Sequence, residues 1–308
     1  MQADSTFSEI TESRRPLQIK SSPVRRAVRR FANTMMWVLS VGAALLAVIP
    51  LALVLYYVMS RGLHLLGPEF FLADQPAYGD TGGGMRNAIV GSLILIGLAC
   101  GLGVPLGILG GIFLAEYGNN RFGFAVRFAA DVLNGIPSIV IGIFVYAIAV
   151  YPVARANPGT GYSAWAGGLA LGVMMIPTIM RTTEEIVRLV PMSLREASLS
   201  LGATRSRTTL KVVLGAAKGG VITGALLAIA RIAGETAPLL FTALGNNFFS
   251  RELEGPMASL PVTIFNFATS ADNHWNALAW AGSLVLVFII FVLSLLARHF
   301  TSNRMGAK

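Results

Sequence analysis

Apolar residues along the chain gather into six long runs, Trp37–Met59, Asn87–Ala115, Phe128–Tyr151, Ala164–Met180, Gly219–Phe241 and Ala277–Ala297. Each holds about 17 residues or more, the least that crosses roughly 30 Å of hydrocarbon as a helix. The pattern predicts an all-α membrane protein with six transmembrane helices. The fourth run is the shortest, and Pro177 blurs its end. In the second run Gly103, Gly107 and Gly111 recur every four residues, as do Gly97 and Gly101. Small residues at that spacing predict close approach of another helix backbone. Pro105 and Pro137 mark expected bends.

The fifth run carries a charge near its middle, Arg231, with Glu235 four residues on. An arginine at the centre of a membrane helix costs about 2.5–3.5 kcal/mol on insertion scales. In one continuous helix the spacing of four places both side chains on one face, so the acid partly neutralises the base. That face must point at protein or water. The pair then either pins the helix to its neighbours or lies along a substrate or ion path.

The polar segment between the fourth and fifth runs, 181–218, is too patterned for a plain connector. Ser193 and Glu196 have the spacing of a capping box, and Gly202 suits a left-handed residue at a helix end. Together they predict a helix from Ser193 to Leu201, with Leu194, Ala197, Ser198 and Leu201 on one side. A second helix is expected to start near Thr204 and lead into the membrane. A short capped helix with a small apolar face suits a partner's groove; lying on the membrane surface is the other use of such a segment.

Composition agrees with the pattern: 54% of residues are hydrophobic and 13% charged, against about a quarter charged in soluble domains. The net charge of +9 reads as a topology signal rather than a nucleic-acid footprint. With the N-terminus inside, cytoplasmic segments hold 19 Lys and Arg and the outer loops hold 4, Arg61, Arg86, Arg155 and Arg251. The positive-inside rule therefore expects both termini in the cytoplasm. The expected layout is a basic tail over 1–36, a six-helix domain over 37–298 containing the loop 181–218, and a short tail over 299–308. The first run follows a basic, polar stretch without a small-residue cleavage site, and is read as an uncleaved span. The longest outer loops, near Ser60–Arg86 and Thr242–Asn276, are expected to form short interfacial helices or contacts with an external partner. Cys100, inside the second run, is the single cysteine, so no disulfide framework exists.

Catalytic signatures are missing. The sequence has no Gly-x4-Gly-Lys-Ser/Thr nucleotide loop and no His-Glu-x-x-His motif. His64, His274 and His299 are scattered. No cofactor, metal site or enzymatic reaction of its own is expected, so any energy must come from a partner.

Two stretches carry a family resemblance. Glu196-Ala197-Ser198, three residues, Gly202, nine residues, then Val212-Val213-Leu214 resembles the EAA loop of ABC-importer permeases. It departs from that pattern at Ser198 for the second alanine, at Val212 for isoleucine and at Gly215 for proline. More narrowly, Ala230–Ala243, Ile136–Phe144 and Ile176–Pro191 are similar to the permeases of phosphate-specific transporters, and the likeness runs from about residue 85 to the C-terminus. The resemblance implies a type I importer in the bacterial inner membrane. Its parts are this permease, a second homologous permease subunit, two ATP-binding subunits that hydrolyse ATP, and an extracytoplasmic phosphate-binding protein. It implies that Glu196, Ala197, Ser198, Leu201 and Gly202 couple to the ATPase. It further implies that Arg231, Glu235 and Thr236, with Arg181 beside Thr182 and Thr183, lie along the phosphate path. A permease for sulfate, molybdate or phosphonate, a stand-alone secondary transporter or channel, and a membrane scaffold are the alternatives at this point.

Overall fold

The computed structural model describes residues 23–157 and 159–302. Among these residues every regular element is helical. We number the helices α1 (Pro23–Gly62), α2 (Pro68–Leu72), α3 (Arg86–Glu116), α4 (Arg121–Gly135), α5 (Ser138–Ala156), α6 (Ala164–Arg188), α7 (Met192–Ser200), α8 (Arg205–Ile232), α9 (Ala237–Thr242), α10 (Leu260–Ala268) and α11 (Asn273–Ser302). Six of them, α1, α3, α5, α6, α8 and α11, are long and apolar enough to cross a membrane.

The described residues fall into two units, divided after Tyr56. The first is α1 up to Tyr56, with none of the side chains in its apolar window buried. Helix α1 starts at Pro23, so part of the basic segment expected as a tail continues the helix, while residues up to 22 lie outside the described range.

The second unit is organised by α3 against α6, which run parallel and exchange small residues for large ones. In one half, α6 supplies the glycines: a Cβ on Gly168 would stand 2.5 Å from Leu98 and one on Gly172 3.1 Å from Leu102. In the other half α3 supplies them. A Cβ on Gly107 would meet Ile179 Cβ at 2.7 Å, and one on Gly111 would meet Thr183 Cβ at 2.5 Å. The expected role of Gly103, Gly107 and Gly111 holds, but Gly97 and Gly101 face open space. Helix α8 packs on the next face of α6, with Gly224 against Thr182 and Gly220 against Ile186. Leu95, Leu171, Met175, Ile179, Ala228 and Ile232 close the core between the three. Helix α11 joins α8 partly through the Thr223 hydroxyl, which reaches the Ala297 carbonyl at 3.2 Å.

Three boundaries differ from the sequence expectation. The run Phe128–Tyr151 is two helices, because Pro137 has no N–H to donate and holds Ile136 extended (φ −73°, ψ 132°). Helix α4 thus ends at Gly135 and α5 begins at Ser138, continuing through a wide turn at Tyr146–Val150 just before Pro152. The run Gly219–Phe241 is also two helices. Helix α8 starts far earlier, at Arg205, and stops at Ile232; Pro238 then sits in the first turn of α9, where its missing N–H is harmless. Helix α6 extends past Met180 to Arg188, with the Ser163 hydroxyl capping its start by accepting from the Ala166 amide at 3.2 Å. Pro105 leaves α3 unbroken.

Both long loops contain helices, α2 in one and α10 in the other. Asp272, just before α11, accepts from the Gly79 amide at 2.9 Å and from the His274 amide at 2.7 Å. Its carboxyl is held below the usual carboxylate range, chiefly by that Gly79 bond.

The interlocked α3–α6 seam makes a direct prediction. Gly107→Ala forces a methyl into Ile179, an overpacking that costs about 1–3 kcal/mol, and is expected to lower the melting temperature in detergent by several degrees. Gly97→Ala, with nothing in its way, is expected to leave it unchanged or slightly raised. Thermal denaturation followed by size-exclusion chromatography reads both.

Candidate substrate path and coupling helix

Arg231 lies in the last turn of α8, where a cation complements the exposed carbonyl end of the helix. Its side chain is exposed, and among the described residues it makes no ion pair. The expectation of an Arg231–Glu235 pair on one helical face is corrected here. Beyond Ile232 the backbone tightens into a turn, with the Gly234 amide on the Arg231 carbonyl (3.3 Å) and the Glu235 amide on the Ile232 carbonyl (3.1 Å). The spacing of four therefore has no helical meaning at this point. Thr236 opens α9 without using its hydroxyl as a cap. Arg231, Glu235 and Thr236 are thus brought together in one interhelical turn, and the guanidinium is left open.

Arg181 belongs to a second cluster, along the seam where α4 runs antiparallel to α6. At its centre is Glu184, 1% exposed. Its Oε1 accepts from Arg127 Nε at 2.6 Å and forms an ion pair with Arg188 Nη2 at 2.7 Å, and its Oε2 accepts from Arg181 Nη1 at 2.9 Å. Charge-assisted bonds on both oxygens are what allow a carboxylate to be buried. Arg181 Nε also meets Asp131 Oδ1 at 2.9 Å. Arg127 reaches across to the end of α3, donating to the carbonyls of Leu114 (2.8 Å) and Gly118 (2.9 Å). One turn along the seam the Thr178 hydroxyl donates to Asn134 Oδ1 at 3.1 Å. Each turn of α4 therefore gives one polar rung to α6. Sequence reasoning singled out Arg181 and missed Arg127, Asp131, Asn134 and Glu184. Their signal was present: 127, 131 and 134 share a helical face, as do 178, 181, 184 and 188. Reading α4 and α5 as one span hid it.

Helix α7 realises the predicted projecting helix with a different start. It begins at Met192, directly after Pro191, which supplies the N-cap backbone and no side-chain cap. The Leu194 amide bonds the Pro191 carbonyl at 3.2 Å, so Ser193 is already inside the helix and the Ser193–Glu196 capping box does not form. Glu196 is exposed instead. The predicted end is found as read. Gly202 is left-handed (φ +81°), its amide bonds Leu199 O at 2.9 Å, and the Ala203 amide bonds Ser198 O at 3.2 Å. That paired arrangement is the Schellman motif. Thr204 then caps α8, accepting from the Arg207 amide.

Two contacts that sequence reasoning missed fasten α7 to the spans. Arg195 Nη2 donates to Glu116 Oε1 at the end of α3 (2.8 Å) and to the Val187 carbonyl (3.0 Å), and Nη1 to the Val190 carbonyl. Ser198 Oγ lies 2.8 Å from Thr208 Oγ1 on α8, a bond the alanine of the EAA pattern lacks. The outer side of α7 keeps large apolar groups exposed, Met192 at 65% and Leu201 at 89%. Of the predicted coupling residues, Glu196, Ala197, Leu201 and Gly202 are exposed, while Ser198 is half-buried.

An all-helical, multi-pass membrane chain with an open guanidinium at a break in one span and a rigidly anchored helix projecting between two others is the architecture of a transport permease. The chain belongs to the family of binding-protein-dependent transport system inner membrane components, whose model matches residues 107–304. It is 43% identical over 273 residues to the phosphate transport system permease protein PstA of Pasteurella multocida (strain Pm70), covering 88% of this chain and 95% of the relative. It is 44% identical over 281 residues to PstA of Yersinia pestis, covering 91% and 93%. Among solved structures, a bacterial alginate ABC transporter in complex with an alginate-bound periplasmic protein matches with a TM-score of 0.65 at 12% identity, over 91% of this chain and 98% of that one. The inward-facing MetNI methionine ABC transporter matches at 0.52 and 18%, over 70% and 92%. At these identities the structures share the fold.

Two substitutions test the architecture of the site. Glu184→Ala leaves three guanidiniums without their common carboxylate, a loss of about 3–5 kcal/mol for a buried pair, and is expected to cut the heat-stable fraction sharply, with Glu184→Asp intermediate. Arg195→Ala releases α7 from Glu116, and trypsin cleavage after Arg205 or Arg207 is expected to accelerate several-fold in the folded protein.

Proposed function

We propose that the chain is the transmembrane permease subunit of an ATP-driven importer that moves inorganic phosphate into the cell. The observation that carries this reading is Arg231, a guanidinium at the end of a spanning helix that makes no ion pair among the described residues. A guanidinium presents planar, bidentate donors that match phosphate oxygens and stays charged at any relevant pH. A charge left open at such a place requires an anion or water opposite it. The names of the relatives supply the substrate.

In this reading Arg231 meets the anion, Thr236 offers a hydroxyl beside it, and Glu235 faces the second permease or orients Arg231. Arg181 is the next cation along the path. With both termini cytoplasmic, as the charge asymmetry implies, α7 projects into the cytoplasm and its exposed apolar side sits in a groove of an ATP-binding subunit, with Glu196 as the polar contact. The partners are a second homologous permease, two ATP-binding subunits and an extracytoplasmic phosphate-binding protein. The permease carries no reaction of its own. ATP binding by the partners moves α7, and the Arg195–Glu116 pair carries that movement to α3.

Uptake of labelled phosphate at micromolar concentration, in cells lacking the chain and complemented at matched membrane levels, tests the reading. Wild type is expected to restore uptake that excess sulfate does not compete with, and Arg231→Gln is expected to assemble and fail to transport. Normal transport by Arg231→Gln would remove Arg231 from the path. No rescue by wild type would overturn the substrate.

A further inference from the structure

The three polar rungs between α4 and α6 differ in how open they are. Glu184 is sealed, with 2% of its side chain exposed, and three guanidiniums hold its two oxygens. Asp131 is the opposite case: its side chain is 56% exposed, and among the described residues its one ion pair is to Arg181 Nε. Arg181 uses Nε for Asp131 and Nη1 for Glu184, and a guanidinium has five N–H donors in a planar fork. Its side chain is 31% exposed, so donors on the Asp131 edge remain reachable. An exposed ion pair made at one point is weak, worth about 0–1 kcal/mol. Asp131 can leave; Glu184 cannot.

The charges make the exchange specific. Arg127, Arg181 and Arg188 pair with Glu184, and Arg181 pairs also with Asp131, so the cluster carries one net positive charge while Asp131 is docked. When Asp131 swings away the cluster carries two. A dianion neutralises that charge in full and matches the guanidinium edge bidentately, whereas a monoanion only repeats what Asp131 already provides. We infer that the Nε–Nη2 edge of Arg181 is a second oxyanion-binding position, occupied in the resting chain by the Asp131 carboxylate, which a divalent oxyanion displaces. Asp131 then discriminates by charge. It keeps chloride from a cationic cluster and yields to a dianionic oxyanion. The inference rests on the reading of the chain as an oxyanion permease, and extends it to a residue outside the EAA loop and the Arg231 turn.

The test uses the assembled membrane complex purified without the binding protein, with thermal stabilisation measured against inorganic phosphate, sulfate and chloride. Asp131→Asn removes the competing charge at nearly constant shape. It is expected to lower the half-stabilising phosphate concentration by about threefold or more, the worth of an exposed ion pair, and to make chloride stabilising where wild type ignores it. Asp131→Glu is expected to restore both wild-type behaviours. With Arg231→Gln present throughout, so that the first site is silent, Arg181→Gln is expected to abolish the remaining phosphate shift whether position 131 is Asp or Asn. An unchanged or weakened phosphate response in Asp131→Asn, with a wild-type baseline melting temperature, would overturn the inference. So would a phosphate shift that survives Arg181→Gln in the Arg231→Gln background. If sulfate rather than phosphate produces the Arg181-dependent, Asp131-sensitive shift, the displacement device stands and the assignment of phosphate as substrate falls.

Discussion

The Glu184 carboxylate is the constraint on which the inner arrangement of the second unit depends. It gathers Arg127 from α4 and Arg181 and Arg188 from its own helix, and through Arg127 it fixes the carbonyls that end α3. A buried anion with this much hydrogen bonding has no low-cost alternative position, because any movement leaves a charge uncompensated in a low-dielectric environment. Three helices are held in one relation by one side chain.

That side chain can sit where it does because α3 and α6 approach closely just beside it. Gly111 takes Thr183, the residue before Glu184, against its bare Cα. A larger residue at 111 would push α6 away and open the cluster. The small-residue seam and the ionic hub are thus two parts of one contact, the first setting the distance and the second the register. At the end of the same α3 helix, Glu116 holds Arg195 of α7. A displacement of α7 is therefore transmitted to the helix that frames the hub through direct side-chain contacts. This is a physical connection, though coupling between sites is measured only by how both bias a common two-state element.

The legibility of the chain follows from which interactions are local. Six spans, the glycine seam and the left-handed end of α7 at Gly202 could be read in advance, because hydrophobic length, i to i+4 spacing and positive φ are written in consecutive residues. The hub could not, since Arg127 and Glu184 lie 57 positions apart and their pairing depends on α4 being a separate helix. Hydropathy averaged over Phe128–Tyr151 makes Pro137 a bend within one span, where the structure has it as the boundary between two helices. The same averaging carried α8 past Gly234 and turned Arg231 and Glu235 into neighbours on a face that does not exist. The capping box failed for a related reason: Pro191 begins α7 through its fixed φ of −57°, and a backbone start needs no serine.

Arg231 and Arg181 show what the fold does with a guanidinium in an apolar chain. Arg181 is paired with two acids, the buried Glu184 and the exposed Asp131. Among the described residues Arg231 has no acid bound to it and gains the dipole of its own helix end. The first is a cation under control and the second a cation on offer. An anion moving along such a chain would be attracted first by the open charge at the break. It would then be passed to the guarded one only by displacing Asp131. Passage would then depend on the anion's own charge, because a monoanion gains nothing from that exchange. The order of the two arginines along α8 and α6, set by Gly224 on Thr182 and Gly220 on Ile186, would give the path a direction and a selectivity step from four side chains and two helix contacts.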